Sequence, residues 1–204
     1  MKGIIFLVVI MSLFSGCSYD TIVEPSSSIN NTISNLPTDS ATGALEVIDY
    51  AHHEVHSGTH YKYKDYYMIN KGASKIFLFK TPDTAKLSHM TLSFEAVSSS
   101  VNVILYEDCT YSSIGTLEPV INRNRNYNDT NTALLYENPI LSSNGVELES
   151  GIYGAGKNSN GGGTRDQEEI VYKRNTNYCV IITEQNVADT NVNILFDWYE
   201  HENK

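Results

Sequence analysis

From Ala44 onward the chain is a succession of short runs in which apolar and polar residues alternate, and this pattern constrains the fold more than any other feature. The runs are Leu45–Tyr50, Tyr61–Ile69, Lys75–Lys80, Met90–Val97, Val101–Tyr106, Leu117–Asn122, Thr132–Tyr136, Val146–Tyr153, Glu169–Lys173, Tyr178–Thr183 and Val192–Tyr199. In Ile76-Phe77-Leu78-Phe79 and Val101-Asn102-Val103-Ile104-Leu105 one face of a strand can be buried, because successive side chains point to opposite sides. Between the runs lie Asn70-Lys71-Gly72, Thr81-Pro82-Asp83, Ser143-Asn144-Gly145 and Asn158-Ser159-Asn160-Gly161-Gly162-Gly163, which supply the positive or fixed φ that turns require. No long window keeps a helical period. Strands at this spacing without helical crossovers predict an all-β fold, an antiparallel β-sandwich or jelly roll, formed by one domain over residues 44–204.

Composition agrees. A chain of 204 residues suggests one domain, and its 14 Tyr together with abundant Thr, Val and Ile suit pleated, half-buried surfaces. The formal charge of −10 repels a phosphate backbone, so nucleic acid is not an expected partner.

The front of the chain reads as two separate objects. Lys2 precedes an apolar run from Ile4 to Phe14, too short to span a bilayer but suited to a secretory signal. Leu13-Phe14-Ser15-Gly16-Cys17 resembles a bacterial lipobox, with Phe14 in place of the usual Leu, which makes Cys17 the candidate for lipidation and membrane attachment. The alternative for residues 1–17 is a hydrophobic arm buried in an assembly. Residues 18–43, rich in Ser, Asn and Thr with few large apolar groups, have the composition of a flexible, disordered linker, a tether for the folded head. If Cys17 carries lipid, Cys109 and Cys179 remain as a candidate disulfide, with two separate thiols as the alternative. A bridge would close a long loop and contribute about 3–4 kcal/mol by chain entropy.

Several motifs invite a chemical reading. Gly151-Ile152-Tyr153-Gly154-Ala155-Gly156-Lys157-Asn158 has phosphate-loop spacing, but Asn158 replaces the Ser or Thr that holds Mg²⁺. Its successors Gly161, Gly162 and Gly163 would not open the helix such a loop needs, so a glycine-rich loop between strands is expected. His52, His53, His56 and His60 cluster within nine residues beside Glu54. On a helix His52, His56 and His60 would share a face suited to a transition metal, but Ser57-Gly58-Thr59 breaks a helix before His60. His53-Glu54-Val55-His56 also misses the metalloprotease spacing by one position. A polar loop or partner-facing patch is the reading preferred here, with a titrating cluster as a further option. There is no Gly-x-Ser-x-Gly elbow. Asp65, Glu107, Asp108, Asp166, Glu168 and Glu169 read as surface acids. Tyr61, Tyr63, Tyr66 and Tyr67 read as strand residues before a stacking face, and Trp198 and Tyr199 as core or edge packing. No catalytic residue, metal or cofactor is expected.

A set of segments adds a resemblance. Glu46–Tyr61, Phe77–Thr84, Ile121–Asn126, Gly162–Arg165, Lys173–Tyr178 and Phe196–His201, in that order, resemble a family of small virion-associated proteins from tailed bacteriophages and environmental viral genomes. The resemblance covers roughly residues 44–204. It implies a non-enzymatic capsid-decorating or other particle-surface protein that self-associates, contacts other virion subunits and brings no catalytic residues with it. The lipobox-like front end departs from that pattern. It keeps open a second reading, a lipid-anchored bacterial or prophage surface lipoprotein in the envelope whose sandwich binds a glycan or an envelope protein.

The positions expected to touch a partner are His52, His53, His56, His60, Asn122, Arg123, Asn124, Arg125 and Asn126. Arg123 and Arg125 alternate along one side of an Asn-rich stretch in an acidic chain, a pattern suited to a partner carboxylate.

Overall fold

Alternation with a period of two, repeated along the chain, builds two antiparallel sheets packed face to face. The computed structural model describes residues 42, 45, 47, 49–154, 169–185 and 187–202. The chain divides into two compact units, Met1–Val47 and Ile48–Lys204. The first holds only Thr42, Leu45 and Val47 among the described residues. The signal or arm over 1–17 with Cys17, the linker over 18–43 apart from Thr42, the glycine-rich loop beyond Gly154, and Asp166 and Glu168 lie outside them.

The second unit opens with a helix, α1 (Tyr50–Ser57). It continues with β1 (His60–Ile69), β2 (Ser74–Lys80), β3 (Lys86–Ala96), β4 (Val101–Glu107), β5 (Thr110–Ser113), β6 (Thr116–Leu117), β7 (Ile121–Asn122), β8 (Leu134–Glu137), β9 (Ile140–Ser143), β10 (Val146–Tyr153), β11 (Ile170–Val171), β12 (Asn177–Glu184) and β13 (Thr190–Glu202). A five-stranded sheet runs in the order β11-β3-β13-β1-β7 and a six-stranded sheet in the order β10-β4-β12-β2-β8-β6, while β5 and β9 form a small ribbon. Strands β1 to β4 alternate between the two large sheets, so each of these connections crosses the sandwich.

The register explains the core. In β13, Val192, Ile194, Phe196 and Trp198 face inward, and opposite them in β1 and β3 stand Tyr61, Tyr63, Met90 and Phe94. From the other sheet come Phe77 and Phe79, Val101, Val103 and Leu105, and Tyr178, Val180 and Ile182. Phe79 meets Trp198 edge-on at 5.1 Å, and Phe77 meets Phe196 at 5.3 Å. Each such buried side chain stabilises the fold by about 1.5–3 kcal/mol. Of the four tyrosines in β1, Tyr61 and Tyr63 belong to this core and Tyr66 is exposed.

Three departures from the sequence expectation have local causes. Phe77, Leu78 and Phe79 are all buried, so β2 is covered on both faces rather than one. The outward Leu78 packs with Cys109, Cys179, Tyr111 and Leu141, because the β5–β9 ribbon lies over that face and the Cys109–Cys179 disulfide fastens it to β12. The run Leu117–Asn122 is two short strands in different sheets, β6 and β7, separated at Pro119, which cannot donate to a ladder. Tyr50, at the end of the run Leu45–Tyr50, opens a helix rather than closing a strand.

Candidate functional site

An eight-residue helix is marginal in isolation, and α1 exists because both of its ends are tied. Asp49 is the N-cap and its side chain accepts from His52 N–H at 3.1 Å. Gly58 closes the helix at φ 76°, and a Cβ there would stand 2.5 Å from the Tyr127 ring. Packing supplies the rest. Tyr50 lies on Tyr199 at 5.8 Å and edge-on to His201 at 5.2 Å. Glu54 faces inward, accepting hydrogen bonds from Thr59 and from His53 Nδ1. Burial alone would raise its pKa, but the Thr59, His53 and Tyr50 hydrogen bonds and the nearby His201 hold it below the ordinary value.

All six histidines of the chain are on α1 or on the outer face of the five-stranded sheet. His60, the first residue of β1, is wholly buried. Its Nδ1 is 3.1 Å from the Ala51 carbonyl, which anchors α1, and its Nε2 is 2.9 Å from Asp197 Oδ1. Arg123 Nη1 completes the group, 3.2 Å from His60 Nε2 and 3.4 Å from Asp197 Oδ2. His89 stacks on Tyr199 at 4.6 Å and approaches His201 at 4.4 Å, and both His89 Nδ1 and the Tyr199 hydroxyl reach Glu169 Oε1 at 2.8 Å.

The Asn-rich stretch after β7 is a chain of side-chain turns. Asn122 donates to Gly58 O at 2.7 Å and accepts from Asn124 N–H at 2.9 Å. Asn124 donates to His56 O at 3.1 Å and accepts from Asn126 N–H at 3.2 Å. This places Arg123 and Arg125 beside Lys62, in an open groove also lined by Val55, Ile121 and Asn122. The groove is cationic on a chain whose formal charge is −10.

The structure therefore gathers the expected contact residues but divides their roles. His52, His53, His56, Arg123, Arg125 and Asn126 are at the surface. His60 and Asn122 are corrected from surface contacts to interior fastenings, because His60 lies beneath α1 and the Asn122 side chain is spent on backbone groups. Asn124 is half-buried and serves mainly to brace the loop. His52, His53 and His56 stand on a helix rather than a polar loop, and His60 on β1. Cys109 and Cys179, left open between a bridge and two thiols, are bridged, with Cα atoms 6.2 Å apart. Among the described residues, no group of three or more His, Cys, Asp and Glu is placed to hold a metal ion.

Several acids read as surface residues have structural partners. Glu107 binds Lys173 at 2.6 Å and accepts from the Tyr178 hydroxyl at 2.9 Å, while Glu169 binds His89 and Tyr199. Two buried acids went unnoticed in the sequence. Glu184 accepts from Ser99 Oγ and from the Gly72, Val187 and Ala188 amides, and Glu200 accepts from Thr132 and Ala133 N–H and from Trp198 Nε1. His89, Asp197 and His201 were likewise missed as members of the cluster. The available signal was parity: Asp197, Tyr199 and His201 alternate with the core residues Phe196 and Trp198, which puts them on the opposite face. No family model matches the sequence, and no curated protein is significantly similar to it.

Proposed function

We propose that the chain is a non-enzymatic accessory component of a bacteriophage particle surface, a β-sandwich that self-associates and docks on neighbouring virion subunits. The observation that carries this reading is the open cationic groove of Lys62, Arg123 and Arg125, set beside the apolar Val55 and Ile121. An open groove with charged and apolar rims suits a protein surface, and a second copy of a chain with formal charge −10 supplies complementary carboxylates. The segments that carry the phage resemblance also interlock: Asn122 binds Gly58 O, Arg123 binds Asp197, and Thr176 N–H donates to Thr81 Oγ1. Such a use of motif residues suits a scaffold held in one shape for assembly. Density-gradient fractionation of particles from producing cells tests the reading. The chain is expected to band with particles, and its exclusive recovery in the membrane fraction would overturn it.

A second reading, a lipid-anchored envelope protein that binds a glycan or an envelope protein, is favoured by the buried Cys109–Cys179 bridge, since such bonds form in oxidising compartments. The mass of the mature N-terminus separates the two. An acylated Cys17 supports the envelope reading, and an intact Met1 supports an assembly arm.

A further inference from the structure

On the solvent side of α1, His52 Nε2 and His56 Nε2 face each other at 2.9 Å. Both residues are exposed, one helical turn apart, with ring centroids 4.7 Å apart. We propose that this pair is a two-nitrogen chelate for a divalent transition-metal ion, with Cu²⁺ favoured. Without an ion the two nitrogens share one hydrogen bond, so a metal would replace that proton with only a small turn of each ring. An i, i+4 imidazole pair offers two nitrogen ligands to one ion, and Cu²⁺ stands highest in intrinsic affinity for such ligands.

The helix is prepared for the task. The Asp49 side chain caps it at His52 N–H, and Asn124 Nδ2 holds the His56 carbonyl, so the backbone under both rings is fixed before an ion arrives. Binding then costs little more than the freezing of two side chains. The other two in-plane positions open to solvent and take water or a donor from a partner. His53 is excluded, because its Nδ1 turns toward Glu54, and His60 is excluded by burial. The inference stands independently of the particle reading and departs from the sequence expectation that no metal is bound.

The test is titration of the purified, metal-free full chain with Cu²⁺, followed by calorimetry and electron paramagnetic resonance. One tight Cu²⁺ per chain with two coupled nitrogens is expected. His52→Ala and His56→Ala should each weaken it by about tenfold or more, whereas His53→Ala should leave it unchanged. Zn²⁺ should bind more weakly than Cu²⁺. Because both rings are exposed, the variants should unfold at the parent's temperature without metal, and Cu²⁺ should raise the midpoint of the parent alone. Cu²⁺ affinity unchanged in the double variant, or a signal with three or four coupled nitrogens, would overturn the proposal.

Discussion

His60 Nε2 and Asp197 Oδ1 are 2.9 Å apart across the β1–β13 seam, and through His60 Nδ1 the same ring grips the Ala51 carbonyl. One buried imidazole thus joins the helix to the sheet. His60→Ala leaves a void and two polar groups without this partner, and should lower the unfolding free energy by roughly 3 kcal/mol in urea titrations. Asp197→Asn keeps an acceptor and should cost only about 1 kcal/mol.

Glu200 lies inside the sandwich and accepts from Thr132 N–H at 2.9 Å, Ala133 N–H at 3.0 Å and Trp198 Nε1 at 3.1 Å. Glu200→Ala strands two buried donors, Ala133 N–H and Trp198 Nε1, and a loss of roughly 2–3 kcal/mol is expected by chemical denaturation. A near-neutral result would mean that water replaces the carboxylate.

Glu184 carries an acid dependence whose sign follows from its partners. Burial pushes its pKa up, but the Ser99 hydroxyl and the Gly72, Val187 and Ala188 amides outweigh burial and bring it from 4.5 to about 2. A depressed folded pKa contributes stability that is complete above 4.5 and is lost as pH falls towards 2. Melting temperature should therefore decline across that window, and Glu184→Gln should flatten this part of the decline while being less stable than the parent at neutral pH.

Reduction of the Cys109–Cys179 bridge, which spans 70 residues, should lower stability by up to about 4 kcal/mol. The first consequence should appear at the β5–β9 ribbon, whose packing on Leu78 the bridge secures. Faster amide exchange at Tyr111 and Leu141 than at Val180 after reduction would locate the effect.

If the cationic groove binds an acidic surface, reversing its charge should act on association and spare the fold. Lys62→Glu with Arg125→Glu should weaken self-association by roughly tenfold or more, an effect fading at high salt. Sedimentation at several ionic strengths reads both. Arg123 is unsuitable for this test because it also binds Asp197.

The period-two pattern made most of the sandwich legible. Val101–Tyr106 and Val192–Tyr199 became β4 and β13, and in β4 Val101, Val103 and Leu105 form the one buried face that alternation implies, because strand alternation is a property of neighbouring residues. What stayed hidden depended on partners far along the chain. Thr110–Ser113 and Ile140–Ser143 carry little apolar pattern, and they are strands because the disulfide and Leu78 give them a surface to lie on. The helix α1 was too short to show a period, although Asp49 and Gly58 mark its ends. Of the site, the histidine and arginine positions were visible, but not that His60 lies inside and His52 meets His56.

The sheet order also bears on when the molecule can form. In the five-stranded sheet β13 sits between β3 and β1, and His60 stands opposite Tyr199. A nascent chain carrying β1 and β3 has nothing to place between them until Thr190–Glu202 emerges from the ribosome. Completion of this sheet is therefore deferred until β13 is available, slow in the manner of folds rich in distant pairings, and until then β1 and β3 each keep an open edge where β13 will pair.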